Sequence, residues 1–468
     1  MTSRLPSMAC AVIVACLLAA CTTTHVEPPG PVAPEAQYKE AGAWQHAPAA
    51  PPVPEQWWTL FGDPVLDDLQ RRLVIGNETL KSSVAAVSSA RAAYEASRSA
   101  MYPSLSAGLS ATRADNAGST GAPAARGPGN TLSLSATASW EVDLWGRLSE
   151  ASRGAQASLQ ASEADLAAAR LSAQALLAQT YFSLRTADTQ LALLERSVTL
   201  YQRSLQLTQD RYDDGVAART DVLQAQTQLQ SAQAQAADLE AGRAQLEHAM
   251  AVLLGVPPSS LGIERNATLP PAPGVPDMLP STLLERRPDI AAAQRRVAAA
   301  YAQIGVADAA WFPDLVLSAS GGYKGSSLAR LVSAPNLLWS LGASVTEAIL
   351  DSGQRRLAST QARASADQAT AAYRQTVLTA LQEVEDNLVL ARQLEREAQF
   401  QGNALQAAQR NLEITLDQYR TGTVSYLNVV TAQTSALTTE SNLLSIRNRQ
   451  LAAVNQLLKN IAGRWAPG

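Results

Sequence analysis

The chain carries the same punctuation twice. Tyr212, Gly215 and the run Asp221-Val222-Leu223-Gln224-Ala225-Gln226-Thr227 are answered, 207 positions further on, by Tyr419, Gly422 and Asn428-Val429-Val430-Thr431-Ala432-Gln433-Thr434. Gly146 and Gly353 keep that offset. Tyr102-Pro103 and Phe312-Pro313 lie 210 apart, so the copies differ by three residues in between. One structural unit therefore occurs twice, over 57–260 and 281–465, with an inter-repeat linker at 261–280. Two copies are too few for a solenoid, which needs at least three. Pseudo-symmetry within a closed ring fits better.

Long helices dominate each copy. Leu184, Ala187, Leu191, Leu194, Val198, Tyr201, Leu205, Thr208 and Tyr212 recur at alternating three- and four-residue steps, as in a coiled-coil seam. The second copy answers with Ala391, Leu394, Ala398, Gln401, Leu405, Ala408, Leu412, Thr415 and Tyr419. A return helix carries Val222, Ala225, Leu229, Ala232, Ala236, Leu239, Leu246 and Met250. Residues 146–213 and 353–421 contain no proline, so each can run unbroken for roughly 100 Å at 1.5 Å per residue. Two shorter helices of a copy, stacked end to end, match that length. Aromatic residues are only 5% of the chain, so alanine supplies much of the apolar content and suits close helix packing. Asp63-Pro64 and Arg287-Pro288-Asp289 are helix-start signals, and Pro103 and Pro313 stop the helices that follow.

Strands stand between the helices. Leu132, Leu134, Ala136, Ala138, Trp140, Val142 and Leu144 alternate strictly with Ser133, Ser135, Thr137, Ser139, Glu141 and Asp143; Leu105, Ala107, Leu109 and Ala111 alternate likewise. The second copy offers Leu315, Leu317, Ala319 and Tyr323, then Trp339, Leu341, Ala343 and Val345. The hairpins are placed at about 104–144 and 314–350, with turns rich in Gly, Ser and Pro at 113–130 and 321–336. A soluble half-buried hairpin has the same period. The small hydroxyls of the polar face, and the anchor signal described next, favour strands of a membrane barrel. The smallest such barrels have eight strands and one chain supplies four, so at least two chains must share one.

The N-terminus reads as a targeting segment. Arg4 is the only charge before Glu27, and Met8–Ala20 is an uncharged apolar run of 13 residues. That is too short to span a bilayer but suits a signal-peptide core over residues 1–20. Leu18-Ala19-Ala20-Cys21 resembles a bacterial lipobox, which makes Cys21 the lipidation site. The plainer alternative is an ordinary signal peptide with an incidental cysteine. Residues 21–56 are rich in Pro and Ala and read as an extended linker.

Composition removes other classes. The net charge of −4 gives no polybasic face for nucleic acid. All three cysteines lie in the first 21 residues, so no disulfide framework, Cys/His metal site or cysteine nucleophile is expected beyond them. No P-loop, HExxH or GxSxG is present. Gly321-Gly322-Tyr323-Lys324-Gly325 reads as a strand turn, and His248, Glu383 and Glu385 as ordinary helix residues. No enzyme, cofactor or metal is expected.

An ordered set of segments resembles the TolC-like outer-membrane efflux channels, in particular their lipoprotein branch. These are Trp57-Trp58…Phe61-Gly62-Asp63-Pro64, Trp140-Glu141-Val142-Asp143-Leu144-Trp145-Gly146, Arg286-Arg287-Pro288-Asp289-Ile290, Ile304-Gly305-Val306-Ala307 with Phe312-Pro313, and Tyr419-Arg420-Thr421-Gly422-Thr423. The resemblance implies a mainly helical fold with membrane strands. It implies a homotrimer forming a twelve-helix periplasmic α-barrel on a twelve-strand outer-membrane β-barrel. A periplasmic adaptor and an inner-membrane pump of the RND type would join it to export small molecules. Thr22 after the cysteine lacks the inner-membrane retention Asp, which by analogy sends the lipoprotein to the outer membrane. Two other readings stay open: a type I protein-secretion conduit, and a lipid-tethered periplasmic coiled-coil adaptor.

The resemblance places the helix–helix turns, 211–221 and 418–428, at the periplasmic tip. Gly215 and Gly422 suit the left-handed position that ends a helix. With Arg211, Asp213, Arg420 and Thr423 they are candidates for adaptor docking. The acids of the TolC second tip are replaced here by Asn428 and Thr431. The narrowest ring then falls to Asp221, Asp417 or a hydrophobic ring near Leu412 and Leu416, with Arg420 a candidate for bridging Asp between helices. The plainer account of Asp417 and Arg420 is an i,i+3 surface pair worth a few tenths of a kcal/mol.

Overall fold

The computed structural model describes residues 54–115, 128–274 and 287–462, with Glu27, Pro28, Gly30 and Lys39 besides. The proposed signal peptide and Cys21 lie outside them. Seven α-helices and four strands are described: α1 (Pro64–Gly76), α2 (Glu78–Ser99), β1 (Ser104–Asp115), β2 (Pro128–Val142), α3 (Arg147–Asp213), α4 (Arg219–Leu253), α5 (Pro288–Ala309), β3 (Asp314–Gly325), β4 (Leu337–Thr346), α6 (Gln354–Arg420) and α7 (Tyr426–Ala462). No described helix is long and apolar enough to cross a membrane. Two compact units are distinguished, one with Ala86–Ser162 and Ala292–Tyr373, the other with Glu163–Ala291, Arg374 onward and the segment ending at Ala85.

The first unit is built around an antiparallel sheet in the order β1-β2-β3-β4. Its register sorts the side chains into two faces. Leu105, Ala138, Ala319 and Leu341 stand side by side, as do Leu109, Leu134, Tyr323 and Leu337. One residue over, Ser106, Thr137, Ser320 and Ser340 form a row of hydroxyls. Ser110 and Ser133 touch through their hydroxyls at 2.6 Å, and Ser320 and Ser340 at 2.8 Å. The apolar face is exposed: Leu105, Leu109, Trp339 and Leu341 are 70–78% accessible. β1 and β4 are the outer strands, each paired on one side only among the described residues.

Residues 321–325 correct the expectation of a turn. They continue β3, paired to Leu132–Ala136. A Cβ at Gly322 would lie 2.2 Å from the carbonyl oxygen of Leu134, so the glycine answers a close strand approach rather than a bend. The connection is shorter, 326–336, with two single-turn 3-10 segments. At the helix end of the sheet, Trp145 stacks on Phe312 with centroids 4.9 Å apart and donates its indole N–H to the Pro313 carbonyl at 2.8 Å. Asp143 accepts the N–H groups of Leu148 and Ser149, capping α3. In the same unit, small residues let α5 and α6 approach: Ile304 and Ala307 pack on Ala362 and Ala366.

The second unit holds the main core. Trp57, Trp58 and Phe61 form a 3-10 turn packed against α3, with Phe61 4.6 Å from Phe182. Asp63 caps α1 as its sequence context requires, accepting from Val65 and Leu66. The first helix of this copy is not continuous, however. Asn77 breaks it, accepting the Leu80 N–H at 2.9 Å and donating to the Leu253 carbonyl at 2.7 Å. The coiled-coil seams bury Leu184, Leu191, Tyr201 and Thr208 on α3 and Leu394, Thr415 and Tyr419 on α6. The expectation fails at one seam position: Tyr212 is exposed where its counterpart Tyr419 is buried.

Candidate functional site: the paired helical turns

Each long helix ends in the same turn, made by the same bonds. After α3, Gly215 takes φ +76 and donates to the Tyr212 carbonyl at 2.9 Å, while Val216 donates to Arg211 at 2.8 Å. After α6, Gly422 takes φ +81 and donates to Tyr419 at 3.0 Å, while Thr423 donates to Gln418 at 2.9 Å. This is the 5→2 and 6→1 pair that satisfies helix-end carbonyls when the residue after the helix is left-handed. A Cβ there costs roughly 1–2 kcal/mol, which explains glycine at both positions.

Among the side chains in which the two turns differ, one ties them together. Arg211 of α3 donates to the carbonyls of Tyr419 at 2.7 Å and Arg420 at 3.2 Å, and its guanidinium lies 4.9 Å from the Tyr419 ring centre. It thus caps the end of α6 from the other copy. The equivalent position of the second copy is Gln418, which is exposed. Under the arginine, Tyr419 donates to Thr208 at 3.2 Å and meets Tyr426 edge-on at 5.4 Å. Tyr426 and Val429 complete this small core with Ala225. Burial pushes the Tyr426 phenol above its ordinary range, and the negative charge of Asp221 adds to the rise.

The positions singled out in the sequence fall into groups. Asp213, Gly215, Gly422 and Thr423 are exposed on the turns, as docking candidates must be. Arg211 is instead turned inward. Thr423 also donates its hydroxyl to the Gln418 carbonyl at 3.1 Å. Asp417 and Arg420 pair at 3.0 Å along α6 itself, with side chains 68% and 63% exposed, so within one chain this pair does not bridge helices. Leu416 packs against the tyrosine cluster, Leu412 is half-buried, and Asp221 is half-buried in the first turn of α4.

A buried polar network escaped sequence reasoning. Asp188, 1% exposed, accepts from Arg185 at 3.0 Å, from Arg243 at 2.6 Å and from the Asn266 backbone at 3.1 Å. Arg185 also donates to the Glu264 carbonyl and to the Tyr181 hydroxyl, whose own proton goes to Asp63 at 2.5 Å. Arg243 bonds Glu247 and the Ile263 carbonyl, and Glu247 accepts the Ile263 N–H. The linker residues 263–266 are thereby fastened to α3 and α4. Burial, then the bond to Asp63, raises the Tyr181 phenol. In the second copy Arg287 grips Asp289 bidentately and also reaches Glu383 at 2.9 Å and Asn460 at 3.0 Å. Glu383, read from sequence as an ordinary helix acid, is thus a fastening residue. Among the described residues, no group of three His, Cys, Asp or Glu side chains is placed to hold a metal, and His248 is exposed.

Duplicated turns on duplicated helices, with an amphipathic four-stranded sheet, match a known sequence profile. That of the outer membrane efflux protein family covers residues 70–256 and again 279–463. The chain belongs to this family. It is 30% identical over 419 residues to the pyoverdine export outer membrane protein OpmQ of Pseudomonas aeruginosa, spanning 88% of this chain and 87% of that protein. It is 29% identical over 480 residues to the antibiotic efflux pump outer membrane protein ArpC of Pseudomonas putida, spanning 99% and 96%. Among solved structures it aligns with the outer-membrane channel OprN at a TM-score of 0.87 and 29% identity, over 94% of this chain and all (100%) of that one. With the open-state MtrE channel of Neisseria gonorrhoeae the TM-score is 0.82 at 25% identity, over 95% and 98%. The efflux protein therefore has the TolC-like channel fold, mainly helical with membrane strands, and works in the outer membrane as the channel component of an efflux system. Its family transports rather than transforms, and the lipid-tethered adaptor reading is set aside.

Proposed function

We propose that three copies of this chain form one passive conduit through the outer membrane. The observation that carries this reading is the sheet: four amphipathic strands, an exposed apolar face and two outer strands whose outer edges have no partner among the described residues. In hydrocarbon an unpaired edge is untenable, so the outer strands must meet those of other copies. The apolar face runs over the eleven residues from Leu132 to Val142, which at a strand tilt of 35–45° climb roughly 25 Å, the height of an outer-membrane apolar band. Three copies give twelve strands. The hydroxyl face then lines a water-filled lumen, and the long helices form the tunnel on the periplasmic side.

In this reading Cys21 carries the lipid anchor, and the Pro/Ala-rich segment leads from it to Trp57. The exposed turn residues Asp213, Gly215, Gly422 and Thr423 meet a periplasmic adaptor, which joins the channel to an inner-membrane pump. The pump supplies the energy, and the exported solutes are small molecules. Asp221, Asp417 or a hydrophobic ring near Leu412 and Leu416 forms the narrowing at the tip when three copies converge. Mass by light scattering and electron microscopy of the detergent-purified protein test the assembly. A hollow three-chain particle is expected; a monomer or a solid rod would refute the shared barrel.

A further inference from the structure

The hydroxyl face of the sheet is almost free of charge. Among its described strand residues the charged side chains are Glu141, Asp314 and Lys324. The two acids stand at the helix end, where Arg147 pairs with Glu141 and lies 3.8 Å from Asp314. Lys324 stands at the opposite end, next to the hairpin turns. Its register partner is Ser133, whose hydroxyl meets that of Ser110. Between the two ends the face presents chiefly Ser, Thr and Gly, including Ser106, Thr137, Ser320 and Ser340, with Val316 and Leu338 as uncharged apolar members. The other strand cation, Arg113, shares the alternation of Leu105 and Leu109 and so belongs to the apolar face. Lys324 is exposed and makes no ion pair with a described residue.

We propose that Lys324 makes the turn-end mouth of the channel an attracting site for small multivalent organic anions, such as di- and tricarboxylates. This rests on the reading above, in which the hydroxyl face lines the lumen and three copies close it. Three lysines then lie at one height, with serine hydroxyls beside each as neutral donors to carboxylate oxygens. Charges about 10 Å from the axis enrich a monovalent anion by roughly twofold at 0.1 M salt, where the Debye length is about 10 Å. At about 1 M salt the length falls to about 3 Å and the enrichment vanishes. Multivalent anions gain in proportion to their charge.

The test uses thiol labelling of the full-length protein in proteoliposomes, so it does not require the tip to be open. A cysteine at Ser133 reports the potential beside Lys324. Its labelling rates by an anionic and a cationic methanethiosulfonate are compared in 0.1 M salt. In the Lys324→Gln background the anionic-to-cationic ratio is expected to fall about fourfold, with Lys324→Arg retaining the original ratio. Citrate is expected to slow anionic labelling only when the cation at 324 is present. An unchanged ratio in Lys324→Gln, or no effect of citrate, would overturn the proposal. A Leu109→Cys variant separates this from failure of the channel reading. If Leu109→Cys reacts with the water-soluble reagents and Ser133→Cys does not, the hydroxyl face is not the lumen, and both readings fall together.

Discussion

Asp188 is the point where one substitution tests the fastening of the inter-repeat segment. Its carboxylate is 1% exposed and joins Arg185 and Arg243, which are 3% and 9% exposed, while also accepting the Asn266 N–H. Asp188→Ala removes the negative charge from between two buried arginines. Breaking a buried pair in this way costs about 3–5 kcal/mol, chiefly because the cations stay buried without their counter-ion. The arginines keep the carbonyls of Ile263 and Glu264, and Arg243 keeps Glu247, so the lower end of that range is expected. The weakened element is residues 263–266, which include the exposed Arg265. Trypsin cleavage after Arg265 therefore reports the opening. A loss of about 3 kcal/mol raises the open population, and with it the cleavage rate, roughly 100-fold where opening is rapid. Asp188→Asn keeps the shape and an acceptor but not the charge, and should lie between wild type and Asp188→Ala. Combined with Arg243→Ala, the alanine effects should fall short of additive. Unchanged cleavage after Arg265 in Asp188→Ala, with an unchanged melting temperature, would refute the reasoning.

Arg211→Ala should loosen the second turn by about 1–3 kcal/mol, through the lost carbonyl bonds and ring contact, and amide hydrogen exchange at Thr421–Ser425 should rise. Arg420→Ala, which breaks only an exposed pair, should leave that exchange nearly unchanged; equal effects would sink the capping role. Above pH 10, stability should fall with pH. The folded chain holds the Tyr181 and Tyr426 protons beyond the ordinary phenol value of 10.0, while the unfolded chain releases them there. The alkaline slope should shrink in Tyr426→Phe, measured by denaturant melts across pH 9–11.

Much of the architecture was legible because its causes are local and periodic. The duplication, proline-free helices and alternating strands all leave a pattern along the chain, and the structure carries each of them. Glycine was the ambiguous letter. At Gly215 and Gly422 it meant a left-handed turn, as read. At Gly322 it meant room for a neighbouring strand, which depends on what lies across the sheet. The break at Asn77 was available in the Gly76-Asn77 pair, but the carbonyl of Leu253 that Asn77 meets is 176 residues away. Arg211 looked like a surface residue of the tip; its partners, Tyr419 and Arg420, come from the other copy.

By itself, the sequence determined what kind of elements form, how many times the unit recurs and which side of each strand is apolar. Hydrophobic period and backbone stereochemistry act within a few residues and are written along the chain. The tertiary structure decided which polar side chains face each other. It turned Arg211 inward while Gln418 stayed out, buried Tyr419 while Tyr212 stayed exposed, and gathered Asp63, Tyr181, Asp188 and Arg243 into one network. Those pairings depend on distance in space between residues far apart in the chain. No local pattern specifies them, because a buried charge is tolerable only where folding delivers its partner.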